Sequence, residues 1–191
     1  AARHDMGLIG RIFGRPGWGV HPDDRKRPAA DAPLRTLPLP ERLFVPMQQH
    51  VGAPARPIVL VGQKVGKGQR LAEPGGGISA PIHAPTSGEI VSIGEITAPH
   101  PSGLTQLAIG IVADGDDRWG ERDAVADPFA LSPGEIARRT AEAGVVGLGG
   151  ATFPSAVKFN LGKRLKVRTL IVNGGECEPF LSADDFVMRE S

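Results

Sequence analysis

The sequence has a single cysteine, Cys177, no tyrosine and only two tryptophans. One thiol excludes an internal disulfide framework, and within this chain it excludes any zinc or iron–sulfur site that needs several cysteine ligands. A reducing compartment fits this usage. With so few aromatic side chains, extended stacking on nucleobases is not expected. Charge of one sign is also lacking: 22 Lys and Arg stand against 21 Asp and Glu, so no overall field holds the chain on nucleic acid or anionic lipid, and no nucleic-acid partner is expected. No apolar run approaches the roughly 20 residues of a membrane-spanning helix, and no secretory leader pattern opens the chain.

Glycine and proline are abundant, at 26 and 18 residues, and 40% of the chain is apolar. That composition supports a buried core built from short strands and many turns. Met6 and the residues after it read as a native start, with Ala1 to Asp5 as a remnant ahead of it. Residues 1–42 read as an extended arm, because Leu37-Pro38-Leu39-Pro40 is unfit for a helix interior. Its apolar beginning, Leu8-Ile9 and Ile12-Phe13 beside Arg11 and Arg15, fits either a short amphipathic anchor or a frayed terminus.

Residues 43–115 read as an all-β unit, with short strands expected at 58–61, 89–93 and 107–112. The run from Val61 to Leu71 and the run from Ala84 to Ile93 resemble the paired hairpins of biotinyl and lipoyl domains, in which glycines make tight turns around a flattened barrel. A carrier of that type presents a lysine on the turn between its halves. Here the turn is Glu73-Pro74-Gly75-Gly76-Gly77-Ile78-Ser79-Ala80, without lysine, so a swinging-arm carrier is excluded. The glycine run fits close approach to a ligand or a flexible turn. His50, His83 and His100 are dispersed without metal-ligand spacing and read as turn or packing residues; no metal site is expected.

After a polar linker over residues 116–131 comes the clearest helix. Ser132 is an N-cap, Pro133 occupies the first helical position, Glu135 completes a capping box, and Gly144 marks the stop. The glycine-rich loop from Gly144 through Gly147, Gly149 and Gly150 to Lys158 leaves main chain uncovered. It serves either as a platform for a flat ring or phosphate, or as a close-packing element. Residues 167–172 read as a buried strand. It leads into Asn173-Gly174-Gly175-Glu176-Cys177-Glu178-Pro179, a ligand-binding loop or a solvated acidic turn, before a helix that opens at Ser182. Helix, loop, strand, loop and helix over residues 132–191 suggest the start of an α/β domain, cut off within its last helix.

Together the glycine loop with Lys158 and the acidic loop resemble the FMN and NADH site of the flavin subunit of respiratory complex I. They are still more similar to the RnfC subunit of Rnf electron-transport complexes, whose pattern also includes Gly19-Val20-His21-Pro22, Pro38-Leu39-Pro40-Glu41-Arg42 and Ala84-Pro85-Thr86-Ser87-Gly88. The resemblance implies an α+β, multidomain chain: a barrel-sandwich hybrid followed by the start of a flavin-binding α/β domain. It implies FMN lined by Gly147, Gly149 and Gly150 and bonded by Lys158 and Asn173, with Glu176 facing flavin and NADH and Glu178 a further NADH contact. No catalytic acid, base or nucleophile is implied, and Cys177 reads as a small packed residue. Two departures stand out: Gly175 replaces an acidic residue of the complex I pattern, and Thr152 stands where a further glycine is common. The implied setting is a peripheral protein on the cytoplasmic face of the bacterial inner membrane, docked on other subunits of an ion-translocating complex. The 4Fe-4S clusters would be held only by sequence beyond this chain. The competing reading is a non-catalytic assembly module of the same type of complex.

Overall fold

The computed structural model describes residues 22–30, 32–148, 151–159, 167–176 and 178–190. In chain order its elements are α1 (Arg27–Ala30), β1 (Arg42–Pro46), β2 (Arg56–Pro57), β3 (Lys64–Val65), β4 (Arg70–Glu73), β5 (Ile82–His83), β6 (Gly88–Thr97) and β7 (Thr105–Ala113). A 3-10 turn (Pro128–Ala130), α2 (Pro133–Glu142), α3 (Ser155–Phe159) and α4 (Ala183–Glu190) follow. The chain divides into two compact units at Arg35/Thr36 and Leu170/Ile171. The anchor proposed for Leu8 to Phe13 lies outside the described residues.

In the unit of residues 36–170, the strands form two antiparallel sheets, ordered β1-β7-β6-β3 and β2-β4-β5. The hairpin of β6 and β7 runs in register from Gly88↔Ala113 to Thr97↔Thr105, with a bulge between Ile90 and Ser92. Alternation turns Ile90, Ile109 and Ile111 into the core, where Val45, Met47, Val65, Leu71 and Ile82 meet them. The strands expected at 89–93 and 107–112 lie inside β6 and β7. The expected strand at 58–61 is not formed. Only Val59 of that run points inward, and the chain reverses at Gly62, whose φ is +87°. In the glycine turn, a Cβ at Gly75 would lie 1.9 Å from the Pro54 carbonyl oxygen, so Gly75 is there for close packing.

The motif from Ala84 to Gly88 closes the barrel end. Thr86 and Ser87 are buried, and their hydroxyls donate to Asp117 (2.9 Å) and Asp114 (2.6 Å). Ser87 Oγ also accepts from the Arg118 backbone N–H, while Lys67 and Gly120 join the segment to the barrel through backbone bonds. Trp119 then lies over the β3–β4 turn: a Cβ at Gly68 would stand 2.9 Å from its ring, and Lys67 and Arg122 flank the same ring at 5.2 and 4.7 Å. The stretch expected as a linker is therefore bonded to the β unit as far as Gly120. Ser87, the Asp116 N–H and Arg118 together hold the Asp114 carboxyl down to about 2.

The helix from Pro133 has the expected cap, with Ser132 Oγ accepting from the Glu135 N–H. The expected strand at 167–172 is not formed. Leu170, Ile171 and Val172 are more than 80% exposed, and among the described residues no strand pairs with them. A strand without a neighbour leaves its backbone groups to water, so the apolar run alone does not make one. The second unit contains α1 and α4. Residues 32–40 have no helix or strand, as the extended arm requires, although the arm includes the short turn of α1.

Two outcomes follow from the barrel closure. We propose that the break between the β unit and the helical region lies within 121–131; chymotrypsin then cuts after Phe129, which is 95% exposed, before it cuts after Trp119. Equal rates at both sites would contradict this. Because the Asp114 pKa is lowered, its carboxylate stabilises the fold above the ordinary value of 3.8, and that contribution is lost as pH falls toward about 2. Asp114→Asn should therefore lower Tm at neutral pH and make its fall between about pH 4 and 2 shallower, as read by thermal melts across that range.

Candidate functional site

The glycine loop is positioned by the end of α2. Gly144 takes φ +67°, and its N–H and that of Val145 return to the Ala141 and Thr140 carbonyls, ending the helix. No other residue type fits there: a Cβ at Gly144 would stand 2.6 Å from the Pro81 carbonyl oxygen and 3.2 Å from the His83 ring. Arg70 donates to the Glu142 carbonyl at 3.2 Å, and a His83 ring N–H bonds the same carbonyl. Burial, then the neighbouring Arg70 charge, push the His83 pKa down against that bond. Imidazole and guanidinium thus hold the helix terminus on β4 and β5 as C-terminal caps.

Beyond Gly144 the chain forms a closed loop. Ser155 N–H donates to Val145 C=O and Gly147 N–H to Phe153 C=O, both at 2.9 Å, and Val146 bridges Pro154. α3 follows at once and carries Lys158 back over the loop, its Nζ 3.6 Å from the position a Cβ would take at Gly147. The structure therefore brings together Gly147 and Lys158. Gly149 and Gly150 lie outside the described residues. Thr152 has φ +47°, a strained conformation for a β-branched residue, which accounts for glycine as the usual occupant of such a position. The loop borders a cavity of about 270 Å³ lined by His50, Pro81, His83, Val146, Leu148 and Thr152. His50 is buried and committed, with Nε2 accepting from the Ala80 N–H and Nδ1 facing the Val51 carbonyl.

The acidic loop belongs to the other unit. It does not leave the end of a sheet strand, as the sequence suggests; side chains set its course instead. Asn173 Oδ1 accepts from the Gly175 N–H at 2.9 Å, an Asx-type turn. Its amide NH2 makes no bond among the described residues. Gly174 lies under Met188 of α4, whose Cε and Sδ would both be 2.8 Å from a Cβ there. Glu176 Oε1 accepts from the Asp184 and Asp185 N–H groups at 2.9 and 3.3 Å, so Glu176 caps α4. Sequence reasoning missed this role, because the cap stands six residues before Ser182 and outside any local capping box. Glu178 is exposed, with its backbone carbonyl accepting from Lys26 Nζ at 2.8 Å.

The donors of each loop suit a flavin nucleotide. In the glycine loop, Lys158 supplies an ammonium beside an uncovered glycine, and nothing crowds the main chain at Gly147, where the nearest atoms to an added Cβ lie at 3.6 Å and beyond. In the acidic loop, Asn173 supplies an amide, and Glu176 keeps its second oxygen for a hydroxyl or carboxamide.

Comparison with known proteins agrees with the two halves of this description. Residues 16–116 match the RnfC barrel sandwich hybrid domain, and residues 140–191 match the Nuo51 FMN-binding domain. The RnfC subunit of the ion-translocating oxidoreductase complex of Rhodobacter capsulatus is 48% identical over 172 residues, covering 90% of this chain and 33% of that protein. Its counterpart in Pseudomonas aeruginosa is 50% identical over 175 residues, covering 92% of this chain and 22% of the relative. The chain thus spans a third or less of the length of these relatives. A barrel-sandwich match over more than half its residues, followed by the helical start of an FMN-binding domain, places the chain in the RnfC family.

Proposed function

We propose that this chain is part of the RnfC subunit of a membrane-associated complex that couples electron transfer between NADH and ferredoxin to ion translocation. In this reading it carries the first part of the FMN and NADH site. The observation that carries the proposal is the closed glycine loop with Lys158 folded over Gly147, in the segment that matches the FMN-binding domain. FMN, when bound, supplies the conversion between two-electron and one-electron transfer.

The chain's own residues bind and orient. Gly147, with Gly149 and Gly150, lets a planar ring approach the main chain, and Lys158 donates to an electron-rich oxygen of the cofactor. Asn173 donates its amide NH2 to the ring edge. Glu176 accepts from the nucleotide through the oxygen that the helix cap leaves, and Glu178, exposed on the same loop, offers a second acceptor. No residue is assigned a proton-transfer or nucleophilic step. Partners are the other subunits of the complex. Attachment is peripheral, at the cytoplasmic face of the inner membrane, in keeping with the complex to which the relatives belong; among the described residues no helix is long and apolar enough to cross a membrane. In this reading the iron–sulfur clusters belong to sequence outside this chain.

The test uses a chain extended to the length of its relatives. Gly149→Val should abolish flavin retention, since the side chain occupies space the ring needs beside the backbone. Glu176→Gln keeps an acceptor for the Asp184 and Asp185 N–H groups, so the helix cap and the flavin remain. It loses the charged acceptor for the nucleotide, a loss of roughly 1–3 kcal/mol, and NADH oxidation falls about 5- to 150-fold. Flavin content by fluorescence and NADH-driven reduction of an artificial acceptor report the two effects. Full flavin and full activity in Gly149→Val would make the loop a packing element and favour an assembly module.

A further inference from the structure

The acidic loop takes part of its shape from the N-terminal arm. Lys26 Nζ donates to the carbonyls of Glu178 (2.8 Å) and Leu181 (2.5 Å), and the Phe180 N–H donates to the Asp24 carbonyl at 2.9 Å. About 150 residues of sequence separate the two sides of this contact. Both sides are held in an unusual backbone state. Arg25, between Asp24 and Lys26, has φ +52°, and Phe180, between the two bonded carbonyls, has φ +70°. A bulky residue in the left-handed region is strained and persists only where its surroundings over-determine it. Here the surroundings are the arm. Pro179 has no N–H, so the Phe180 N–H and the carbonyls on either side are the polar groups by which this part of the loop can be held.

The other fixings of the loop are internal to residues 173–190: Asn173 to Gly175, Met188 over Gly174, and Glu176 to the first turn of α4. Those bonds set the loop relative to α4. Among the described residues, only the arm contributes hydrogen bonds to the loop from elsewhere in the chain. Lys26 is suited to the task, since an ammonium carries three donors on a long stem and can bond two carbonyls at once.

We infer that Lys26 is a positioning residue for the nucleotide: by bonding the Glu178 and Leu181 carbonyls, it holds the acidic loop in the conformation in which Glu176 and Glu178 receive NADH. This rests on the assignment of NADH to the acidic loop. Without the Lys26 bonds the loop samples other conformations, and apparent affinity falls by the fraction of time spent in the competent one.

The experiment measures KM for NADH, kcat, flavin content and amide exchange in the full-length protein carrying Lys26→Met, Lys26→Arg or Glu176→Gln. Lys26→Met keeps the stem and removes the donors. It should raise KM about tenfold, leave kcat and flavin content near the parent's, and speed exchange of the Phe180, Asp184 and Asp185 amides. Lys26→Arg restores two donors and should return both KM and exchange toward the parent values. If Glu176→Gln raises KM while Lys26→Met leaves it unchanged, the positioning role is wrong and the NADH assignment stands. If neither variant moves KM, the NADH assignment fails and takes this inference with it. Loss of flavin in Lys26→Met, or no rescue by arginine, would mean a general structural role and would also overturn the inference.

Discussion

The reversal at Gly144 is the constraint on which the glycine loop depends. A helix of ten residues must stop against the β unit, and its last turn must expose carbonyls toward groups that satisfy them. Gly144 makes the stop because only a residue without Cβ fits both the left-handed backbone and the 2.6 Å approach to Pro81. Arg70 and His83 then take the Glu142 carbonyl. From that fixed point the chain leaves along the path that pairs Val145 with Ser155 and Gly147 with Phe153, and this path brings Lys158 over Gly147. The β unit, which lacks the lysine of a carrier, thus serves as the abutment of a ligand loop.

The same economy recurs wherever the chain lacks regular structure. Two buried hydroxyls, Thr86 and Ser87, are tolerated because Asp117 and Asp114 accept from them, and the same contacts hold the segment through Gly120 on the barrel. In the acidic loop, Glu176 caps α4 while Lys26 and Asp24 satisfy residues 178–181. These loops are set by carboxylates and one ammonium rather than by apolar packing, which leaves Glu176 and Asn173 partly accessible to a ligand. A polar scaffold of this kind suits a site that must accept a charged nucleotide.

Much of the fold was legible in the sequence because its signals are local. The N-cap at Ser132, the stop at Gly144, the alternation in β6 and β7 and the opening of α4 near Ser182 are written in neighbouring residues. The missing turn lysine was equally plain. Residues 58–61 and 167–172 misled because an apolar β-branched run reports a preference, whereas strand formation needs a partner at the right edge. The candidate site was legible only as far as its residue types. The glycine loop announced itself, but the cap made by Glu176 and the contact from Lys26 join residues whose relation depends on the folded path. The positive φ of Thr152 was foreshadowed by the glycine that the family pattern places there.

If the closed loop around Gly147, with Lys158 folded over it, is a flavin platform, the most direct test is an experimental structure of the full-length protein with FMN and NADH added. The flavin ring is then expected on the main chain of the glycine loop, with Lys158 in bonding distance, and the nicotinamide nucleotide beside Glu176. Flavin bound elsewhere, with the glycine loop closed over protein atoms instead, would contradict this account.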